Sequence, residues 1–176
     1  LKWAFRGRKI YPNRNPWNDY HARYRAILKN PAMSIDPNRN ARQGYRWCRE
    51  FSRSHYENFP VASLLLPGKL RDPVAAVYSF ARTADDIADE GNMDVSQRLE
   101  ALDSMRSALH RAGAGEPPDA PMYHAIVDTL QRHQLPLMPF EDLLSAFRQD
   151  VTKHRYENFG ALMDYCRRSA NPIGRL

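Results

Sequence analysis

Hydrophobic residues recur at helical spacing from about Ala41 onward, and prolines and glycines interrupt this pattern. The uninterrupted stretches predict six helices, near residues 41–54, 72–90, 95–111, 122–134, 140–154 and 160–170. No stretch shows the sustained alternation of hydrophobic and polar residues that is typical of a β-strand. The pattern therefore predicts an all-α fold.

The predicted helix at 72–90 is apolar around nearly its whole circumference. It opens with Asp72 and Pro73, a pair typical of a helix N-cap and first turn. A narrow polar stripe runs along it, because at about 100° per residue four side chains fall within roughly 60° of one another. These four are Tyr78, Arg82, Asp85 and Asp89, with Asp86 at the edge of the stripe. Such a helix is expected to be buried in a bundle, with the stripe lining a cavity.

The carboxylates of this stripe crowd the C-terminal half of the helix, where the helix dipole disfavours each anion by about 0.3–1 kcal/mol. A compensating positive charge is therefore expected. Mg²⁺ takes oxygen ligands and shares them with phosphates, so Asp85 and Asp89 could hold it against a diphosphate, with Arg82 one turn away. The spacing alone leaves open the alternative of a solvated acidic helix end.

The charge of the chain is unevenly distributed. Residues 1–53 carry 13 Lys and Arg but 3 Asp and Glu, whereas residues 54–176 carry 13 and 17. Residues 1–40 mix aromatic and basic side chains with four prolines, which predicts a basic, disordered extension before a domain at 41–176. We expect no nucleic-acid binding, because no RNA-binding motif accompanies the charge.

The rest of the composition excludes several classes of protein. A chain of 176 residues is expected to form one domain. No apolar run in it approaches the roughly 20 residues of a membrane-spanning helix. Cys48 and Cys166 cannot form a disulfide framework or a four-ligand zinc site, which favours a reducing, cytoplasmic location. Neither a P-loop nor an HExxH motif occurs.

Four separated segments carry a resemblance to a known family. They are HYENFPVASLLLP at 55–67, RDPVAAVYSFARTADDIADEG at 71–91, FRQDVTKHRY at 147–156 and DYCRRSANPIGRL at 164–176. In this order they resemble the squalene/phytoene synthase family, and within it the bacterial hopanoid-pathway branch that forms hydroxysqualene. The resemblance covers about residues 42–176. It implies an all-α isoprenoid synthase bundle around a large apolar cavity, of which this chain is an incomplete N-terminal half.

The resemblance also implies a metal and diphosphate site. Asp85, Asp86 and Asp89 match the first aspartate-rich motif of the family, which implies that they bind Mg²⁺ ions that hold the substrate diphosphate. Arg82 matches an arginine that faces this diphosphate, and Tyr78 matches a tyrosine that lines the same site.

Four further positions match functional positions of the family. His55 and Phe59 match residues of a flap over the diphosphate and the prenyl chain. Tyr165 matches the active-site tyrosine, which is thought to stabilise carbocations or assist proton transfer. Asp150 matches a polar position near the cavity. The spacing alone would make Tyr165 a core tyrosine.

The activity implied by the resemblance is the Mg²⁺-dependent ionisation of presqualene diphosphate to hydroxysqualene. The alternatives are head-to-head condensation of two prenyl diphosphates to squalene or phytoene, and an inactive truncated fragment. No second aspartate-rich motif occurs in the 176 residues, so we expect these residues alone to be inactive and prone to aggregate. The apolar substrate and product favour peripheral contact with the inner membrane.

Overall fold

The computed structural model describes residues 36–54, 66–153 and 155–176, and these residues form helices and connecting loops without any strand. The helices are α1 (Pro37–Ser54), α2 (Gly68–Asp89), α3 (Val95–Gly113), α4 (Pro121–His133), α5 (Met138–Thr152), α6 (Phe159–Ser169) and α7 (Asn171–Arg175). The predicted all-α class is confirmed. The six predicted helices correspond to α1–α6, and the short α7 was not predicted.

The start of α2 differs from the sequence prediction. The helix begins at Gly68 with Pro67 as its N-cap, so the prediction that Asp72 is the N-cap was wrong. Asp72 lies inside the helix and binds Arg49 of α1 instead. Pro73 also lies inside α2, where its missing N–H leaves one carbonyl of the first turn without its helical hydrogen bond. A proline so close to the helix start removes only this one bond, and α2 continues through it.

Helix α2 lies at the centre of the bundle and packs against α1, α3, α4 and α5. Ala76, Phe80 and Ala84 along its length are fully buried. The ring of Phe80 meets that of Phe140 on α5 edge to face, with 5.2 Å between ring centroids. Small alanine side chains let the neighbouring helices approach closely, and the predicted burial of α2 is confirmed.

Helices α1 and α4 meet at Gly44. A Cβ atom at this position would overlap the carbonyl oxygen of Pro121 and come within 2.8 Å of the amide nitrogen of Ala125, so only glycine allows the approach. Beside it, the Tyr45 hydroxyl lies 2.7 Å from Asp128 Oδ2 and 2.9 Å from Thr129 Oγ1. These contacts hold the inner side of α1 against the bundle.

Helix α5 runs antiparallel to α3 on one side. Between them, His110 Nε2 lies 2.9 Å from Glu141 Oε1, and an ion pair joins Asp103 to Arg148 at 2.6 Å. On another side, α6 and α7 also run antiparallel to α5, with Arg168 Nη1 2.9 Å from Ser145 Oγ. None of the described helices is both long enough and apolar enough to cross a membrane.

Candidate active site

The C-terminal half of α2 carries a buried arginine surrounded by carboxylates. Guanidinium nitrogens of Arg82 lie 3.0 Å from Asp85 Oδ2, 2.6 Å from Asp86 Oδ1 and 2.8 Å from Glu90 Oε1. The side chains of Arg82 and Asp86 are 7% and 10% exposed, whereas those of Asp85 and Glu90 are 34% and 38% exposed. We call these four residues the Arg82 cluster. It bears one positive and three negative charges, so it favours a further cation.

The composition of this cluster differs from the predicted stripe. Asp86, placed by its spacing at the edge of the stripe, is buried, whereas Asp89 is exposed. Glu90, which lies just beyond the helix, joins the cluster although the spacing did not single it out. Glu90 reaches Arg82 at 2.8 Å although eight residues, about two helical turns, separate them. Tyr78 is half-buried one turn before Arg82, and its predicted place in a cavity wall stays a prediction.

A second arginine, which no sequence pattern singled out, caps the end of α2. Arg98 in the first turns of α3 donates hydrogen bonds of 2.7 and 3.0 Å to the carbonyl oxygens of Ile87 and Glu90. It also donates bonds of 3.0 and 3.1 Å to the carbonyls of Gly91 and Met93. A cation at a helix C-terminus offsets the helix dipole and satisfies its last carbonyls. No periodicity in the sequence marks Arg98 for this role, because its partners are backbone atoms of another element.

Two predicted site residues meet on α5 and α6. The Tyr165 hydroxyl donates a 2.7 Å hydrogen bond to Asp150 Oδ2, and Tyr165 is buried. Burial, followed by this hydrogen bond to a carboxylate, raises the pKa of the Tyr165 phenol above its ordinary value. Tyr165 therefore stays protonated and neutral at physiological pH. Tyr165 is thus buried like a core tyrosine and also binds Asp150, and the roles that the resemblance implies for the two residues stay predictions.

A polar network surrounds Tyr165. The ring of Tyr156 lies 5.1 Å from that of Tyr165, and the Tyr156 hydroxyl is 3.4 Å from Gln149 Nε2. Arg168 Nη2 donates a 2.6 Å hydrogen bond to Gln149 Oε1, and the Lys153 ammonium lies 5.3 Å from the Tyr156 ring centroid. None of these four neighbours was singled out by the sequence. Arg168 reaches Gln149 because α6 folds back along α5, whereas Lys153 and Tyr156 are close neighbours in the sequence at the end of α5.

The Arg82 cluster and the Tyr165–Asp150 pair lie on different helices that share α5 as a neighbour. Helix α2 packs against α5, and so does α6, but α2 and α6 do not contact each other within the described residues. The predicted His55 and Phe59 lie outside the described residues, so their positions relative to either group stay predictions.

The donor chemistry of the α2 carboxylates fits Mg²⁺, since hard cations prefer carboxylate oxygens. The arrangement of these carboxylates is less suited to binding Mg²⁺, because Asp85 and Asp86 bind Arg82 while Asp89 is exposed. In the described part of the chain no three Asp, Glu, His or Cys side chains converge as a metal-binding group. The α2 end therefore supplies carboxylate ligands of the right kind without a preformed ligand shell.

Two other surfaces can be compared with the apolar cavity that the resemblance implies. A cleft of about 390 Å³ between α3 and α5 is lined mainly by charged and polar side chains, including Arg106, His110 and Arg148, so it is not the apolar cavity that the resemblance implies. In contrast, α6 exposes apolar side chains, with Phe159 74% and Met163 47% accessible. The apolar surface thus lies on the helix that carries Tyr165.

The amino-acid sequence of this chain is similar to those of several known enzymes. The chain is 47% identical over 121 residues to a hydroxysqualene synthase of Zymomonas mobilis, covering 68% of this chain and 39% of that protein. It is 34% identical over 148 residues to a phytoene synthase of Arthrospira platensis, covering 84% of this chain and 47% of that protein. The chain thus spans less than half the length of these curated relatives.

Solved structures of related synthases are also similar to this chain. The crystal structure of squalene synthase HpnC from Alicyclobacillus acidocaldarius superposes with a TM-score of 0.70 at 44% identity, over 77% of this chain and 50% of that one. A dehydrosqualene synthase crystallised with a ligand superposes with a TM-score of 0.69 at 25% identity, over 79% and 47% of the two chains. The sequence model of squalene/phytoene synthase matches residues 52–176. The chain therefore belongs to the squalene/phytoene synthase family and has its all-α isoprenoid synthase fold.

Proposed function

We propose that the whole protein processes isoprenoid diphosphates, ionising presqualene diphosphate and giving hydroxysqualene. The observation that carries this proposal is that the buried Arg82 contacts Asp85 and Asp86 at the end of the central helix. The chain that carries these residues belongs to the squalene/phytoene synthase family. The hydroxysqualene branch is favoured because three hydroxysqualene synthases are 44–47% identical to this chain, whereas five phytoene synthases are 31–34% identical.

At the diphosphate, we assign metal binding to Asp85, Asp86 and Asp89. Mg²⁺ bound there would supply charge neutralisation for the departing diphosphate. Arg82, once it exchanges a carboxylate for substrate, donates its N–H groups to diphosphate oxygens in a bidentate manner. Tyr78, one turn earlier, lines the same end of the substrate. The burial of Arg82 strengthens these hydrogen bonds, because few water molecules compete for its donors.

At the prenyl chain, we assign Tyr165 to the stabilisation of the carbocation. Its phenol is neutral at physiological pH, from which burial moves the pKa still further, and a neutral aromatic face attracts a cation. Asp150 accepts the hydroxyl proton and fixes the ring. His55 and Phe59 would form the flap that excludes water until the cation is ready for capture.

The second candidate is head-to-head condensation of two prenyl diphosphates. The observation that favours it is the length of the alignment. The phytoene synthase of Arthrospira platensis aligns with 84% of this chain, whereas the hydroxysqualene synthase of Zymomonas mobilis aligns with 68%. The two activities differ in substrate. Supplying farnesyl diphosphate, geranylgeranyl diphosphate or presqualene diphosphate separately, and identifying each product by mass spectrometry, distinguishes them.

The test of the proposed site replaces Asp85 and Asp89 by Asn in the whole protein. Diphosphate release from presqualene diphosphate should fall by about 100-fold or more, the range seen when one electrostatic contact to a transition state is removed. The matched control removes two exposed acids elsewhere, Glu100→Gln with Glu116→Gln, and should retain activity. An Asn variant as active as the control would refute the role of these aspartates.

A further inference from the structure

The outer face of α1 carries a row of arginines. They stand at alternating spacings of three and four residues, Arg39, Arg42, Arg46, Arg49 and Arg53. At about 100° per residue this spacing confines all five to an arc of about 80°, and they extend about 21 Å along the helix axis. The buried side of α1, which includes Ala41 and Cys48, faces the bundle and leaves this arc toward solvent. We call these five residues the arginine row.

The charge of the arginine row is largely uncompensated. Arg49 binds Asp72 of α2, but in the described structure the exposed side chains of the other four have neither an ion pair nor a hydrogen bond. Glu50 is the one acidic residue in α1. Like charges one turn apart on a helix repel each other, so the row lowers the stability of an isolated α1. A binding partner that supplies negative charge would offset this repulsion.

We propose that the arginine row docks the protein on a membrane surface rich in anionic phospholipid. A straight helix presents the guanidinium groups along a line, which suits a plane of phosphate groups. Guanidinium binds phosphate oxygens in a bidentate manner, and clustered basic residues on a helix are typical of contact with anionic lipid headgroups. The row lies on a helix that is itself packed against α2 and α4, so docking requires no rearrangement of the bundle.

Lipid is favoured over single-stranded nucleic acid by the position of the aromatic side chains. Nucleic-acid binding of that kind combines basic residues with aromatic rings on which bases stack. Here Tyr45 is buried, and Trp47 and Phe51 stack on each other with 5.1 Å between their ring centroids. Trp47 projects about 120° around the helix from the arginine row. The preference rests in part on the proposed function, since prenyl diphosphates carry apolar chains that partition into membranes.

The experiment measures co-sedimentation of the full chain with vesicles of phosphatidylcholine, with and without phosphatidylglycerol. Wild type should bind only the anionic vesicles. Arg42→Gln with Arg46→Gln should weaken this binding about 25-fold, which corresponds to about 1 kcal/mol for each arginine. The matched control, Arg111→Gln with Arg167→Gln, removes the same charge from other exposed positions and should bind like wild type.

Each other outcome overturns the proposal. Equal loss in both variants would show that net charge alone drives binding. No loss in the row variant would assign binding to another part of the chain, including the basic residues at 1–35. Binding of a single-stranded RNA oligonucleotide in preference to the vesicles would identify a nucleic-acid surface. Vesicle binding needs no substrate, so Asp85→Asn with Asp89→Asn should leave it unchanged, and failure of either proposal is distinguishable from failure of the other.

Discussion

Arg82 and Tyr165 illustrate, at the scale of single residues, how burial changes the chemistry of a side chain. Arg82 is 7% exposed and organises three carboxylates, of which the spacing had singled out Asp85 as a metal ligand and the family resemblance had added Asp86. Tyr165 is buried with its hydroxyl on Asp150, so it remains a neutral phenol. In both cases the sequence singled out the residue, whereas its partners in the folded chain determine its hydrogen bonds and its electrostatic environment.

The raised pKa of Tyr165 predicts a pH dependence of stability. Because the phenol is harder to ionise in the folded chain than in the unfolded one, its contribution is present below the ordinary tyrosine pKa of about 10 and is lost as the pH rises above it. Chemical denaturation across this range should show a free energy of unfolding that falls with pH. Tyr165→Phe should be less stable near pH 8 by about 1 kcal/mol, owing to the lost hydrogen bond, and should show a shallower fall.

The control for this prediction is Tyr45→Phe. The pKa of the Tyr45 phenol is also raised, mainly by burial, so removing its hydroxyl should also flatten the pH dependence of the free energy of unfolding. Tyr45 joins α1 to α4, whereas Tyr165 joins α6 to α5. The double variant should show the shallowest dependence of all. A Tyr165→Phe variant with the same slope as wild type would contradict the assigned hydrogen bond.

At the scale of elements, the turn between α2 and α3 depends in part on contacts that no local sequence pattern predicts. Asp94 and Gln97 form a capping box at the start of α3, a feature that is local in sequence. Arg98 instead reaches back to four backbone carbonyls, including those of Ile87 and Glu90, and so holds the end of α2. The carboxylates of the Arg82 cluster project from this same stretch of backbone.

We predict that Arg98→Gln loosens the end of α2. It should lower the free energy of unfolding by about 2 kcal/mol, since it removes charge-assisted hydrogen bonds from helix-end carbonyls. Amide hydrogen exchange should accelerate at residues 86–94, and urea denaturation should give the change in stability. Arg98→Lys should recover little, because an ammonium group cannot reach four carbonyls spread over the turn.

The matched control is Arg106→Gln on the same helix. Arg106 pairs with Asp103 at the surface, where both side chains are about half exposed, so the loss should stay below about 1 kcal/mol. If hydrogen exchange at 86–94 were equal in the two variants, Arg98 would have no special role in holding α2.

At the scale of the whole molecule, two helices that do not pack against each other within the described residues expose different kinds of surface. Helix α1 presents the arginine row to solvent, whereas α6 presents Phe159 and Met163, which are 74% and 47% exposed. Apart from Tyr165, α6 has no fully buried residue. Phe159 and Met163 stand one turn apart, so their exposed side chains are neighbours on the surface of α6.

We predict that the 176 residues, expressed alone, self-associate through α6 and do not turn over presqualene diphosphate. Phe159→Ser with Met163→Ser should shift the chain toward monomer in size-exclusion chromatography with light scattering. The free energy of unfolding should change by about 0.5 kcal/mol or less for each exposed position. Val95→Ser, which removes a 52% exposed side chain elsewhere, is the control and should leave association unchanged. A monomeric wild-type chain with turnover would contradict both parts of this prediction.

The amino-acid sequence by itself determined the helical class, the approximate bounds of six helices and the burial of α2. It also placed Arg82 and Asp85 on one narrow stripe, with Asp86 at its edge. These properties follow from the period of the α-helix, which places residues three and four apart on one face whatever the surroundings.

Only the tertiary structure decided which residues from different elements meet. Asp72 binds Arg49 instead of capping α2, Tyr165 meets Asp150 across two helices, and Arg98 caps the end of α2 from α3. These pairings depend on how the helices pack, which is a collective result of filling the core around Phe80. No local spacing encodes that packing, so the partners of the candidate site could be read only from the folded chain.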